Sequence, residues 1–146
     1  MADMLSLVIG GTSGIGRAIA LRFAAEGHRV IIAGRDAVRG AAVAKDCGGS
    51  FLAVDVADPA SVQALGATVQ ADHGVPDILV NCAGILQSGK RVLEQPLDED
   101  ERLWRINYRG TLLGCQVFGR MMAAEGRGAI LNVGSLASFA PLSLPA

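Results

Sequence analysis

The chain has little of what a metal centre or a disulfide framework requires. Its 146 residues include three cysteines and two histidines. Cys47, Cys82 and Cys115 are odd in number, widely spaced and never arranged as C-x-x-C. We therefore expect no disulfide framework, no metal site and a reducing compartment. His28 and His73 each neighbour a glycine in a predicted turn among polar residues, which favours solvated side chains over ligands or catalytic bases.

An excess of one charge and long apolar runs are also missing. The formal net charge is -1, with basic and acidic residues mixed along the chain, so neither nucleic acid nor an anionic membrane is expected as a partner. No apolar run approaches the roughly 18 residues of a membrane span, and no basic leader with a cleavage site opens the sequence. We expect one cytoplasmic domain, residues 1–146, and small molecules remain open as ligands.

What is present is a regular alternation of apolar runs with segments of helical period. This order predicts parallel strands joined by crossover helices, and so an α/β fold with an open, doubly wound parallel sheet and helices on both faces. Ligands of such sheets bind at the carboxyl ends of the strands, where the strand order reverses. The predicted strands cover residues 4–9, 29–33, 51–54, 77–81 and 129–133, and the helices about 14–26, 36–46, 59–72 and 98–124.

Three glycines mark the junction between the first strand and the first helix, in the stretch IGGTSGIG. Free amides and the dipole at a helix N-terminus attract a phosphate, and glycines let it approach the backbone. The spacing of Gly10, Gly14 and Gly16 is G-x-x-x-G-x-G rather than G-x-G-x-x-G. A tight turn with close helix packing is the alternative. The position between strand and helix, with the hydroxyls of Thr12 and Ser13, favours a pyrophosphate site.

This stretch is similar to the cofactor loop T-G-x-x-x-G-x-G of the short-chain dehydrogenases/reductases. Ile9 stands where that family usually has threonine, which should weaken a hydrogen bond in the turn but leaves the glycines intact. The chain thus resembles the N-terminal part of this family, which implies a Rossmann-type sheet, truncated after strand five. Further matches follow in the family's order: Asp55-Val56 for its D-V, Asn81 to Gly84 for its N-N-A-G, Asn107 in the fourth helix, and NVGS ending at Ser135, where a catalytic serine is expected.

The end of the second strand indicates which dinucleotide is bound. Gly34 stands where NAD sites usually place a carboxylate on the ribose 2′-hydroxyl. Arg35 follows, and its guanidinium can grip a 2′-phosphate through paired, charge-assisted hydrogen bonds. We therefore expect NADP(H) rather than NAD(H). Alternatively, Arg35 is a solvated turn residue neutralised by Asp36, although Asp36 is better suited to be the N-cap of the second helix.

The resemblance assigns the other cofactor contacts. Asp55 would accept a hydrogen bond from the adenine amino group, while Val56 packs on the ring. The pyrophosphate would lie on Gly10, Thr12, Ser13, Gly14, Ile15 and Gly16.

The sequence NCAG, Asn81 to Gly84, would contact the ribose and hold neighbouring strands together. Small Ala83 and Gly84 would let the main chain lie against the ribose. Asn81 would tie neighbouring strand ends together through its amide. Cys82 replaces the family's second asparagine, a tolerable change because the site uses backbone more than side chain, and no reactive thiol is expected.

The catalytic residues are only partly present. By resemblance, Ser135 would hydrogen-bond the substrate oxygen, and Asn107 would position a water in a proton relay; a structural hydrogen bond that fixes the helix is the alternative for Asn107. The family's general acid or base is a tyrosine whose pKa is lowered by a lysine and by the cofactor. Its Y-x-x-x-K pattern would begin just beyond Ala146. Tyr108 has Leu112, not lysine, four positions later and is not assigned this role.

Two functions therefore remain open. The first is an NADP(H)-dependent oxidoreductase that transfers hydride between nicotinamide and a small-molecule carbonyl or alcohol, with this chain as a fragment that is inactive alone. Full-length enzymes of this kind commonly form dimers or tetramers, so a homo-oligomer is expected. The second is a non-catalytic dinucleotide-binding module, acting as a sensor or partner subunit. A methyltransferase is a weaker third option, because it would want an acid where Gly34 and Arg35 stand.

Overall fold

The structure is a computed structural model that describes residues 4–136. All the predicted strands and helices are present, with ends that lie within one residue of the prediction. A 3-10 turn, Val92–Glu94, precedes the fourth helix. The strands are Leu5–Ile9 (β1), Arg29–Gly34 (β2), Ser50–Ala53 (β3), Ile78–Asn81 (β4) and Ala129–Asn132 (β5), and the helices are Gly14–Ala25 (α1), Ala37–Cys47 (α2), Pro59–Asp72 (α3), Leu97–Leu103 (α4) and Gly110–Ala124 (α5).

The five strands form one parallel sheet in the order β3-β2-β1-β4-β5. The chain builds one half outward from β1 and then crosses to the other side for β4 and β5, so the order reverses between β1 and β4. Ile9 pairs with Ala33 on one side and with Asn81 on the other, and Asn81 pairs with Asn132. The carboxyl ends of β1, β2, β4 and β5 therefore lie level at one edge, as predicted for a doubly wound, Rossmann-type sheet.

The core lies on both faces of the sheet, which explains why β1 is buried at every position. Alternate residues of each strand point to opposite faces. Leu7 belongs to a cluster with side chains of α3 and α5, such as Leu65 and Phe118. Its neighbour Val8 belongs to a second cluster with side chains of α1 and α2, such as Ala20. Two apolar layers thus hold the central strands in place beneath the edge.

The predicted long helix, about 98–124, is real but irregular. A π-helical segment, Trp104–Arg109, separates α4 from α5. Nothing in the hydrophobic period indicated it, because a π turn adds one residue without changing the residue types around it. The helical period puts Leu103 and Asn107 on one stripe with Gly110, Gly114 and Val117, and this stripe is expected to face the sheet. Gly110 and Gly114 are buried as expected, but the other buried residues are Ile106, Phe118 and Met122, and Asn107 is exposed.

His28 differs from its expected solvated state. Its Nδ1 atom lies 2.8 Å from the hydroxyl of buried Ser6, and its ring stacks on Phe23 with a centroid separation of 5.0 Å. It therefore supports the amino end of the sheet, opposite the edge where ligands are expected. In the described part of the chain, no helix combines the length and apolar composition needed to cross a membrane. Residues 4–136 also contain no group of three or more His, Cys, Asp or Glu side chains placed to hold a metal ion.

Candidate functional site

The glycine-rich turn between β1 and α1 is packed closely against the neighbouring strands. The Gly10 amide donates to the Ala33 carbonyl of β2 at 2.7 Å. Gly10 has φ +86°, and a Cβ there would collide with the backbone nitrogen of Ala83. A Cβ on Gly16 would collide with the carbonyl oxygen of Gly10. Both positions therefore require glycine, so the close-packed turn considered from the sequence is present. This packing does not exclude a phosphate site, because it involves only the side of the turn that faces the neighbouring strand ends.

The outer side of the same turn leaves the start of α1 open. Ser13 stands at the N-cap in an extended conformation, with φ −162°, and makes no side-chain capping hydrogen bond. The first turn of α1 carries no acidic side chain. Ser13, Gly14 and Ile15 are exposed. Backbone N–H groups at a helix N-terminus need partners, and the helix dipole favours an anion there. This arrangement fits the diphosphate of a dinucleotide.

The end of β2 lies beside this turn. A Cβ on Gly34 would lie 2.8 Å from the γ-methyl of Thr12, so the two segments touch. Arg35 follows and is exposed. Among residues 4–136, no hydrogen bond or ion pair engages its guanidinium. Arg35, which is predicted to bind the 2′-phosphate, is therefore adjacent to the predicted pyrophosphate site. Both lie at the same edge of the sheet.

Asp36 does not pair with Arg35, the alternative that the sequence left open. It is the N-cap of α2, as predicted, and its Oδ1 atom accepts the Arg39 amide at 2.9 Å. Its Oδ2 atom accepts Nε–H of the same arginine at 2.7 Å. The backbone bond, followed by the side-chain bond, lowers the pKa of Asp36. Sequence reasoning missed Arg39, although an arginine three residues after a capping aspartate could have indicated this pairing.

Asp55 and Val56 follow β3 with different exposures. The Asp55 side chain is exposed, and its Oδ1 atom accepts the Ala57 amide at 3.0 Å. This is an ordinary role for an aspartate in a turn, and the carboxylate retains further acceptor capacity for an adenine amino group. The Val56 side chain is 7% exposed and packs against the backbone of Gly110. Little of it is therefore available to an adenine ring.

Asn81 links the ends of β4 and β5, as expected. Its Nδ2 group donates to Oδ1 of Asn132 at 2.8 Å, and the Cys115 sulfur lies 3.5 Å away. Asn81 is 4% exposed, and its own Oδ1 atom has no hydrogen-bond partner within residues 4–136. A Cβ on Gly114 would collide with this oxygen, so the helix backbone covers it. The side chain thus holds two strand ends and α5 together.

Cys82 and Ala83 directly follow β4 and lie against Gly10 of the glycine turn. The Cys82 amide donates to the Ile9 carbonyl at 2.8 Å. Burial raises the pKa of the Cys82 thiol, while the backbone amide of Gly16 acts in the opposite direction. A raised pKa means little thiolate at neutral pH, which agrees with the expectation of an unreactive cysteine.

Asn107 fastens the segment after β4 to the π-helical turn. Its Nδ2 group donates to the Ile85 carbonyl at 2.9 Å, and its Oδ1 atom accepts the Ile85 amide at 2.8 Å. A Cβ on Gly84 would lie 3.5 Å from the same oxygen. The structural role considered for Asn107 is therefore present. Its backbone carbonyl accepts the Thr111 hydroxyl at 3.0 Å.

A second fastening, missed from the sequence, holds the next part of this segment. Both the amide and the hydroxyl of Ser88 donate to the carboxylate of Glu99 at the start of α4, with the hydroxyl bond at 2.8 Å. The side-chain bond, then the backbone bond, lowers the pKa of Glu99. Residues 85–88 are thereby tied to the long helix at two points.

Ser135 lies just beyond β5 at the same edge. The Val133 amide donates to the Asn81 carbonyl at 2.9 Å, which continues the sheet pairing past β5. Ser135 comes two residues later and is exposed. The edge thus brings together the glycine turn, Arg35, the NCAG segment and Ser135. Residues 137–146 lie outside the described residues.

The order reversal beside a glycine-rich turn defines a Rossmann-type protein, and comparison with known proteins identifies the family. Residues 5–145 match the short chain dehydrogenase family. The chain belongs to this family, as its motifs indicated. Several curated relatives that match most of this chain are named as oxidoreductases or dehydrogenases.

Three relatives illustrate the match. Probable oxidoreductase EphD of Mycobacterium tuberculosis is 41% identical over 150 residues, covering 96% of this chain and 24% of that protein. D-threitol dehydrogenase of Mycolicibacterium smegmatis is 40% identical over 143 residues, covering 94% of this chain and 55% of that protein. A solved closed form of serine dehydrogenase complexed with NADP+ has a TM-score of 0.90 at 29% identity, covering 95% of this chain and 57% of that one. The chain spans less than two thirds of each.

Proposed function

We propose that this protein is an NADP(H)-dependent oxidoreductase of the short chain dehydrogenase family, acting on a small-molecule carbonyl or alcohol. The observation that carries the proposal is the family match over residues 5–145, with the family's motif residues at one edge of the sheet. The bound nicotinamide would supply or accept the hydride.

The cofactor would be held mainly by backbone. The exposed start of α1 offers uncapped amides to the diphosphate, and Thr12 and Ser13 offer hydroxyls. Asp55 would accept from the adenine amino group, with a minor contact from Val56. The closely packed NCAG segment, Asn81 to Gly84, would lie against the ribose.

Arg35 supports the choice of NADP(H) over NAD(H). It is exposed, follows a glycine instead of the usual acid, and Asp36 is occupied by Arg39. A planar guanidinium can form two parallel, charge-assisted hydrogen bonds with a phosphate. The similar serine dehydrogenase structure is complexed with NADP+, which supports this preference.

On the substrate side, Ser135 would donate a hydrogen bond to the oxygen of the carbonyl and polarise it. Asn107 would keep the segment after β4 and the π-helical turn together, and would position a water in a proton relay. Proton transfer would need the tyrosine and lysine of the family pattern, so residues 1–146 alone would be inactive. Assembly into a homo-oligomer and a cytoplasmic location remain part of the proposal.

Calorimetric titration tests the cofactor assignment. NADPH should bind more tightly than NADH, and Arg35→Ala should weaken NADPH binding by roughly tenfold to a hundredfold, since hydrogen bonds to charged groups contribute about 1.5–3 kcal/mol. NADH binding should change little. The exposed Arg22→Ala, at the far end of α1, is the control. Equal losses for both nucleotides would contradict the NADP(H) preference.

Turnover tests the catalytic assignment. In the full-length protein, Ser135→Ala should lower kcat by about 10²–10³-fold, the usual effect of removing one donor from a reacting oxygen, without weakening nucleotide binding. The non-catalytic alternative predicts tight nucleotide binding and no oxidation of NADPH with any carbonyl tested.

A further inference from the structure

Two arginines flank Asp36, and only one of them is paired with it. Arg39 donates both its backbone amide and its Nε–H to the two oxygens of the carboxylate, at 2.9 and 2.7 Å. Both carboxylate oxygens are therefore engaged by the same residue. Arg35, the immediate neighbour of Asp36, is exposed and forms no hydrogen bond or ion pair within residues 4–136.

Arg35, Asp36 and Arg39 lie close to the proposed cofactor site, so the pairing of Asp36 can affect which nucleotide binds. Gly34 touches Thr12 of the glycine turn, so Arg35 starts beside the proposed diphosphate site. Asp36 follows directly, and its carboxylate is the nearest acid in sequence to a 2′-phosphate bound by Arg35. A free carboxylate there would repel the phosphate and compete for the guanidinium. It could also accept a hydrogen bond from a ribose 2′-hydroxyl, as the acid of an NAD site does.

We propose that Arg39 is a positioning residue for cofactor choice, which neutralises Asp36 and turns its carboxylate away from Arg35 so that NADP(H) is preferred. This inference rests on the proposed function. Arg39 does not touch the nucleotide in this scheme. Because the Asp36–Arg39 pair is exposed, salt should screen its effect.

A cycle of variants at the two positions tests the proposal in the full-length protein, with NADPH and NADH affinities measured by calorimetry. Arg39→Ala should reduce the NADPH-to-NADH affinity ratio by about fivefold at low salt, the size expected for an uncompensated charge near a phosphate in high dielectric. Asp36→Asn should raise the ratio, since asparagine still caps α2 but carries no charge. The double variant should recover the wild-type ratio or exceed it.

The recovery in the double variant separates this role from two others. If Arg39 bound the phosphate itself, the ratio would stay low in the double variant. If Arg39 only stabilised α2, NADPH and NADH would weaken together. Either result would overturn the proposal. Thermal unfolding of each variant shows whether α2 remains folded.

Two further variants complete the design. Arg22 makes an equivalent exposed ion pair with Glu26, also through Nε at 2.7 Å, at the end of α1 away from the glycine turn. Arg22→Ala should leave the ratio unchanged. Arg35→Ala tests the proposed function separately. If it does not alter the ratio, the cofactor assignment fails and this inference falls with it; if it does while Arg39→Ala does not, only the inference fails.

Discussion

The first three helices begin in two different ways. At α2 and α3, an aspartate side chain caps the free amides: Asp36 accepts from Arg39, and Asp58 accepts from Ala60 at 2.9 Å. At α1, Ser13 could cap in the same way, but its hydroxyl makes no such bond. At the two capped starts, a side chain of the protein accepts a hydrogen bond from a free helix amide. The uncapped start of α1 lies where the strand order of the sheet reverses. The difference is what we expect if the amides of α1 bind the diphosphate, as proposed.

The largest effect on nucleotide binding is expected from a change in the turn that precedes α1. Gly10→Ala adds left-handed strain of about 1–2 kcal/mol and a clash with the Ala83 backbone that costs about 1–3 kcal/mol. Nucleotide binding should be lost, and the free energy of unfolding in urea should fall by the sum.

Gly27→Ala is the matched control, at the other end of α1. Gly27 has φ +85°, almost equal to the +86° of Gly10, but a Cβ there meets nothing within 4 Å. It should cost only the strain and leave nucleotide affinity intact. Equal destabilisation by the two variants would show that the close approach to Ala83 has no energetic importance.

A smaller effect should separate capped from uncapped starts. Asp58→Ala should lower the free energy of unfolding by about 1 kcal/mol, the usual value of a lost N-cap, and leave NADPH affinity unchanged. Ser13→Ala should stay within about 0.5 kcal/mol of wild-type stability and weaken NADPH binding by roughly twofold to tenfold, the contribution of one hydrogen bond. Chemical denaturation and calorimetry give both quantities. A stabilising role for Ser13 would contradict the uncapped description.

The smallest effect concerns acid stability. Because the pKa of Asp36 is lowered in the folded state, its ionised form stabilises the fold. This contribution is complete above the carboxyl group's ordinary pKa and is lost as the pH falls through the lowered value. Asp36→Asn should therefore give a flatter curve of unfolding free energy against pH in the acid range. Superimposable curves would contradict the prediction. The effect should be small because the pair is exposed.

The fold could be predicted from local pattern because the central strands β1, β2 and β4 are largely buried on both faces and the first three helices have clear ends. Gly27 and Gly48 end α1 and α2 with positive φ, and Asp58 with Pro59 starts α3. The π-helical segment, Trp104–Arg109, could not be predicted, since its extra residue depends on contacts made elsewhere, such as the bonds from Asn107 to Ile85.

The candidate site was predictable in outline for a related reason. Parallel pairing in register places the ends of β1, β2 and β4 at one edge, so residues that follow those strands meet. The pairing of individual side chains at this edge was harder to predict from the sequence. Asp36 could have paired with either arginine, and only the start of α2 decides for Arg39. Val56 was expected on a ligand, whereas Gly110 leaves room for it in the core.

Amide NMR shifts measured during NADPH titration test the central claim most directly, namely that the uncapped start of α1 binds the diphosphate. We expect the largest changes at the amides of Gly14, Ile15 and Gly16, and little change at Ala60 and Ser61 in the capped start of α3. If the α1 amides do not respond while NADPH binds, the diphosphate lies elsewhere and the proposed cofactor site is wrong.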